Sequence, residues 1–149
     1  MRIIKRDIAG ALLLSGDGYA LIGKNVKGGV DEDLWIIPGG GVNEGESKED
    51  AVKREILEEV GIDISGAIIE PTRRVQTRTA EKTLRDTGER VLVEMTFYDF
   101  IVKFDEVAKN IPIKLEDDLG YAEWVAIDEL AKRTYPSSVE SLLKHLDFI

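Results

Sequence analysis

Residues 40–62 read GGVNEGESKEDAVKREILEEVGI, and the fold follows from how this stretch must be arranged. Ser47 is an N-cap residue by type, with Glu49 and Asp50 in the first turn, where the helix dipole favours negative charge. Gly61 stands where a helix ends in a left-handed residue. The spacing therefore predicts a helix from Lys48 to Val60. At 3.6 residues per turn, Glu55, Glu58 and Glu59 are placed i, i+3, i+4 and share one face. Val52, Ile56 and Val60 form a neighbouring apolar stripe suited to packing on a sheet. Ala51 falls among the acids, where its small side chain would let a ligand approach. Three carboxylates on one face raise one another's pKa when unpaired. A hard divalent cation removes that penalty, and carboxylate oxygens suit Mg2+ or Mn2+.

A Glu-Glu pair alone reads as a solvated acidic face, and Arg54 alone reads as an i,i+4 partner of Glu58. The register of the whole stretch changes that reading. Written as a pattern it is G-x5-E-x7-R-E-U-x-E-E-x-G-U, with U aliphatic. Seven fixed letters at roughly 5–7 % background each occur together by chance in on the order of one chain per million. The pattern resembles the Nudix box, the defining motif of the Nudix hydrolases, with every fixed position present.

That resemblance implies an α/β fold, an α/β/α sandwich around a mixed β-sheet, extending over nearly the whole chain. It implies Mg2+ or Mn2+ as cofactor, held by Glu55, Glu58 and Glu59 with a backbone carbonyl near Gly40. Arg54 would orient a metal-binding glutamate, and Glu46 with Arg54 would hold loop and helix in place. The approach Trp35-Ile36-Ile37-Pro38-Gly39-Gly40-Gly41 is of the kind the family uses. Its glycines let the backbone come near a ligand, and loop amides at a helix start favour anions, which makes Gly39 and Gly40 substrate-binding candidates. Asn43 and Glu44 stand where relatives often carry Glu then Pro, at positions that are not fixed. Family members usually add an acid in a loop before a Trp-containing strand. Asp118, six residues before Trp124, is the nearest counterpart here, with an ordinary acidic turn as the alternative; Glu94 is a weaker candidate.

The rest of the chain excludes other chemistries. Its 149 residues, 43 % hydrophobic and 33 % charged, fit one soluble domain spanning 1–149. No apolar run is long enough to cross a bilayer, and no signal-peptide pattern opens the chain. Cysteine is absent, which removes disulfides and thiolate chemistry and fits a cytoplasmic location. A net charge of −9 argues against gripping a long nucleic acid through its phosphates. It leaves room for a small nucleotide held by a cation and a few arginines. The only histidine, His145, lies in an amphipathic C-terminal stretch and reads as a surface residue, so a Ser-His-Asp relay is not supported. Neither a P-loop nor a dinucleotide-binding glycine motif is present.

Strands are predicted at Ile8–Leu14, Tyr19–Lys24, Trp35–Ile37, Ala67–Thr77, Val91–Lys103 and Glu123–Ile127. A short helix is predicted at Asp128–Arg133, and Pro136 opens a last helix as its first residue. Between the two long strands lie six cations, Arg73, Arg74, Arg78, Lys82, Arg85 and Arg90, against three acids, a net of +3. They read either as a solvated hairpin or, for Arg73, Arg74 and Arg78, as forks meeting substrate phosphates. Trp35, Phe97 and Tyr98 are either core or base-stacking groups.

The expected activity is hydrolysis of a nucleoside diphosphate linked to another moiety, such as a nucleoside triphosphate or nucleotide sugar. Glu55, Glu58, Glu59 or Asp118 would take the proton of the attacking water. The intact box favours pyrophosphate cleavage over the glycosyl cleavage of relatives with an altered box. Two readings from other classes stand beside it: a nucleotide-sensing module that does not cleave, and a structural domain with an acidic helix. No membrane partner is expected. Dimerisation is common in the family, which leaves a homodimer open.

Overall fold

The computed structural model describes residues 1–25, 33–116 and 119–149. The chain runs through β1 (Arg2–Leu14), β2 (Tyr19–Asn25), β3 (Gly39–Gly41), α1 (Lys48–Val60), β4 (Ile68–Thr83), β5 (Arg90–Lys103), β6 (Leu119–Ala126) and α2 (Ser137–His145). Short 3-10 turns at Ala108–Asn110 and Ile127–Lys132 complete it.

The strands form one mixed sheet in the order β4-β5-β1-β2-β6. β1 and β5 are parallel along their whole length, from Arg2 opposite Val91 to Leu14 opposite Lys103. The other edge of β1 is shared. Its middle, Ile8 to Gly10, pairs with the three glycines of β3, and its end, Leu14, pairs with Ala20 of β2. β1 thus holds the loop entering α1 directly against the centre of the sheet.

Alternation along the strands fills two cores, one on each face. Ala9, Ala11 and Leu13 of β1, with Phe100 and Val102 of β5, pack under Ala51, Val52, Ile56 and Val60 of α1. Leu12 of β1 and Ile101 of β5 point the other way, to Val139 and Leu143 of α2. The sheet is covered on both faces, as an α/β/α sandwich requires.

The structure corrects several expected boundaries. β1 starts at Arg2, not Ile8, and β4 continues to Thr83. Both extensions are largely exposed, and each is held by its ladder to β5 (Thr83 opposite Arg90 closes the hairpin). Trp35–Ile37 is not a strand; only Ile36 bridges, to Gly23. The strand is instead Gly39–Gly41, because Pro38 has no N–H to extend a ladder and its carbonyl accepts from Ala11 at 3.1 Å. Pro136 is the N-cap of α2 rather than its first helical residue, with φ −60° and ψ 156°. The 3-10 turn at Ala108 was not anticipated. It is tied to the β1–β2 turn through Asp17, whose Oδ1 accepts from Ala108 N–H at 2.9 Å.

Candidate active site

The helix carrying the acids has both expected caps. Ser47 is extended and its Oγ accepts from Asp50 N–H at 3.0 Å. Gly61 is left-handed, with φ 69°, and its N–H reaches Leu57 O at 3.1 Å. With both ends fixed and one face buried in the core, the rotation of α1 is set. Glu55, Glu58 and Glu59 are then turned toward the β3 loop and solvent.

Arg54 is the hub of this region. Its guanidinium makes five hydrogen bonds: two to Glu46 (both 2.9 Å), one to Gly41 O (2.8 Å), one to Glu55 Oε1 (2.8 Å) and a longer one to Glu58 Oε2 (3.4 Å). The fork on Glu46 closes an eight-residue span, and Glu46 also accepts from Asn43 N–H at 3.0 Å. These bonds, Arg54 first and Asn43 second, hold the Glu46 carboxyl at about 2, far below the usual carboxylate range. The same carboxylates raise the Arg54 guanidinium above its ordinary value. The expected i,i+4 contact with Glu58 exists, but Glu46 and Gly41 are the stronger partners.

Gly39 N–H donates to Glu59 Oε1 at 2.7 Å. The α-carbon of Gly40 lies against the Glu55 carboxyl group; a Cβ there would meet its carbon and Oε2 at 2.5 Å. Only glycine allows that approach. On the far side of Gly41 lies the guanidinium of Arg6, which occupies the space of a Cβ and has no hydrogen bond or ion pair among the described residues. Arg6 carries no motif signal, and sequence reasoning passes over it.

The donor set fits a hard divalent ion in its chemistry: oxygen ligands only, on one helix face, beside a glycine backbone. It is not a preassembled nest. Among the described residues no three acid or histidine side chains are gathered closely enough to hold an ion. Glu55 and Glu58 are drawn to Arg54, and Glu59 to the Gly39 amide.

The other candidates are placed as follows. Asp118 lies outside the described residues. Ala51 is fully buried under the sheet and belongs to the core, not to the ligand face. The Gly39 amide is taken by Glu59. Arg74 is turned toward α2, donating to Ser141 O at 2.9 Å and Ser141 Oγ at 2.8 Å. Arg73 is an exposed residue of a bulge between Pro71 and Val75, with φ 61°. Arg78 occupies the rung of Met95, which in turn pairs with Arg6. The structure thus brings Gly40, Glu46, Arg54, Glu55, Glu58 and Glu59 together and leaves Arg73 and Arg74 apart from them. Glu94 is on the α1 side of the sheet, four residues along β5 from Tyr98. Tyr98 lies under Lys48, whose Nζ is 4.7 Å from the ring centroid. Trp35 is a framework residue, clamped by Lys24 and Arg133 at 4.8 and 4.9 Å and edge-on to Tyr121. His145 is exposed at the end of α2, as expected.

The profile of the NUDIX domain matches residues 4–146. The chain belongs to the NUDIX family. It is 28 % identical to an RNA pyrophosphohydrolase of Wolbachia sp. subsp. Brugia malayi over 91 % of this chain and 83 % of that protein. It is 36 % identical to the nucleoside triphosphatase NudI of Salmonella heidelberg over 80 % of this chain and 81 % of that one. In fold it is similar to the E. coli dihydroneopterin triphosphate pyrophosphohydrolase, with a TM-score of 0.73 at 20 % identity and 97 % of each chain covered. The family, the mixed-sheet sandwich and the enzyme class expected from residues 40–62 agree with these similarities. No described helix is long and apolar enough to cross a membrane.

Proposed function

We propose that residues 1–149 form one NUDIX domain that hydrolyses the pyrophosphate bond of a nucleoside diphosphate linked to another moiety, with Mg2+ or Mn2+, in the cytoplasm. The observation that carries this reading is the Arg54 hub. One guanidinium fixes Glu46 and the β3 loop, and holds Glu55 against Gly40, where a diphosphate and its cation would meet.

Glu55, Glu58, Glu59 and the Gly40 carbonyl are the groups that would hold the ion. When bound, such an ion neutralises phosphoryl oxygens and lowers the pKa of a coordinated water. The chain's own part is positioning and proton transfer. Arg54 keeps Glu55 over Gly40 through Oε1, while Gly39 N–H keeps Glu59 from swinging into solvent. Glu46, ionised down to about 2, never competes for the proton. Glu55, Glu58, Glu59 or Asp118 takes the proton of the attacking water, and the departing phosphate is protonated from solvent.

The test is phosphate or pyrophosphate release from a panel of nucleoside triphosphates, nucleotide sugars and dinucleotides with Mg2+. Glu58→Gln should lower turnover by about 100-fold or more with an unchanged melting temperature. Full activity in that variant, or no release from the wild type, refutes the reading.

A second substrate class follows from the Wolbachia relatives, whose name places pyrophosphate hydrolysis on RNA. A 5′-terminal triphosphate presents the same anhydride. The net charge of −9 works against a long RNA, so activity on RNA should fall with lengthening RNA while nucleotide activity does not.

A further inference from the structure

On the sheet face turned toward α2, Ile8 and Gly10 of β1 alternate with the buried Leu12, and Phe97 and Asp99 of β5 alternate with Ile101. Asp99 is one of two buried polar residues among those described, 7 % exposed. It makes no hydrogen bond or ion pair among the described residues. Its nearest cation, Arg74, has turned its fork onto Ser141. Burial pushes the Asp99 carboxyl up to about 6, with Arg74 pulling weakly the other way. A structural acid in such a place is ordinarily paired, because an unpaired buried carboxylate is costly. No sealed side-chain polar atom among the described residues lacks a partner, so the oxygens of Asp99 keep an opening to solvent. An incoming donor can reach them.

Position says which donor. Asp99 pairs with Gly10, and Gly10 pairs with Gly39 at the head of the catalytic loop. Two strand spacings, about 10 Å, separate the acid from the loop. That span suits one nucleotide whose phosphates lie at the Arg54 hub. The space over Gly10 is filled by Ile37 and the Pro38 carbonyl, so the route from Asp99 to the loop runs one alternation along the same face, over half-buried Phe97 and its partner Ile8 to Gly41. We propose that Asp99 is the base-reading residue of this site, its carboxylate accepting two adjacent N–H donors of a guanine-type base lying on Phe97. A carboxylate is acceptor-only and binds best to paired donors. Guanine presents N1–H beside its 2-amino group. Adenine and cytosine place a ring acceptor beside their amino group and set lone pair against lone pair; uracil offers one N–H between two carbonyls. The inference rests on the nucleotide reading of the site and adds its base selectivity.

Equilibrium binding of GMP, IMP and AMP, with no turnover required, tests it separately from catalysis. The wild type should bind GMP about tenfold or more tighter than AMP, with IMP, which lacks the 2-amino donor, between them. Asp99→Asn should bring the three within about threefold of one another, with Asp99→Ala as a second variant of the same sense. Phe97→Ala should weaken all three alike. Equal affinities in the wild type, no binding of any of the three, or selectivity retained in both Asp99 variants would overturn the assignment. GMP selectivity without hydrolysis of GTP would keep it and refute the catalytic reading instead.

Discussion

Glu46 and Asp99 are two carboxylates in one small domain, held in opposite ways. Glu46 has a bidentate arginine and a backbone amide, and its carboxyl lies at about 2. Asp99 is buried with no hydrogen bond among the described residues, and its carboxyl lies at about 6. The first belongs to a region complete in itself, where every acid has a protein donor. The second belongs to a region that is energetically unfinished. On the proposed reading, the difference separates acids fixed by the fold around the reaction site from one left for the base of a ligand.

The largest break in this contrast comes from Arg54. Arg54→Ala leaves Glu55 without its donor and Glu46 with only the Asn43 amide, and releases the Gly41 carbonyl. We expect a loss of roughly 2–4 kcal/mol in unfolding free energy and turnover lowered by about 100-fold or more. Arg54→Lys should recover part of the stability but little turnover, since an ammonium cannot span Glu46, Glu55 and Gly41 together. Urea unfolding and pyrophosphate release measure the two. Equal activity in Arg54→Lys and the wild type would reduce the hub to a packing element.

The pH dependence of stability should carry both carboxylates with opposite signs. Asp99 has its folded value raised from 3.8 to about 6, so the native state holds that proton more tightly. Its contribution favours folding below about pH 4 and is lost as pH rises toward 6. Glu46 has its folded value lowered from 4.5 to about 2, so its contribution is present above pH 4.5 and is lost as pH falls through that window. Asp99→Asn should therefore be more stable than the wild type at pH 7.5, by roughly 1–3 kcal/mol, and should lack the decline between pH 4 and 6. Glu46→Gln should flatten the acid limb instead. Thermal melts of the three proteins from pH 3 to 8 would show it. A destabilised Asp99→Asn at neutral pH would mean that the carboxylate has a partner in the fold.

The same contrast explains what was legible in the sequence. The box is readable because its partners are near in the chain: Ser47 caps Asp50, Glu46 reaches Arg54 eight residues on, and Gly61 ends the helix by its own backbone conformation. The strand Val91–Lys103 was legible from its β-branched and aromatic run. What escaped depends on strand register and distant pairing. Ala51 looked like part of the acidic face, and only the packing of α1 on β1 and β5 assigns it to the core. Arg74 looked like a phosphate ligand, but the bulge at Pro71–Val75 turns it to Ser141, 67 residues away. Asp99, inside Tyr98-Asp99-Phe100-Ile101-Val102, was passed over in the sequence, although an acid interrupting an apolar run is a signal of a buried charge. Which face it occupies follows from the β1–β5 register, which sequence periodicity does not specify.

The smallest predicted effect isolates the scaffold from the chemistry. Ser47→Ala removes the side-chain acceptor of Asp50 N–H and should cost about 1 kcal/mol. Since Ser47 touches none of Glu55, Glu58 or Glu59, kcat and KM below the melting range should stay within about twofold of the wild type. α2 supplies the control, because its N-cap, Pro136, contributes no side-chain bond. Pro136→Ala should therefore leave the first turn of α2 with the same hydrogen bonds it has now. A kinetic effect of Ser47→Ala well beyond twofold would mean that the cap sets the rotation of α1, and with it the aim of the three glutamates. The closed region would then be a coupled machine rather than a rigid frame, and its tolerance to substitution would be lower than that of the sheet around Asp99.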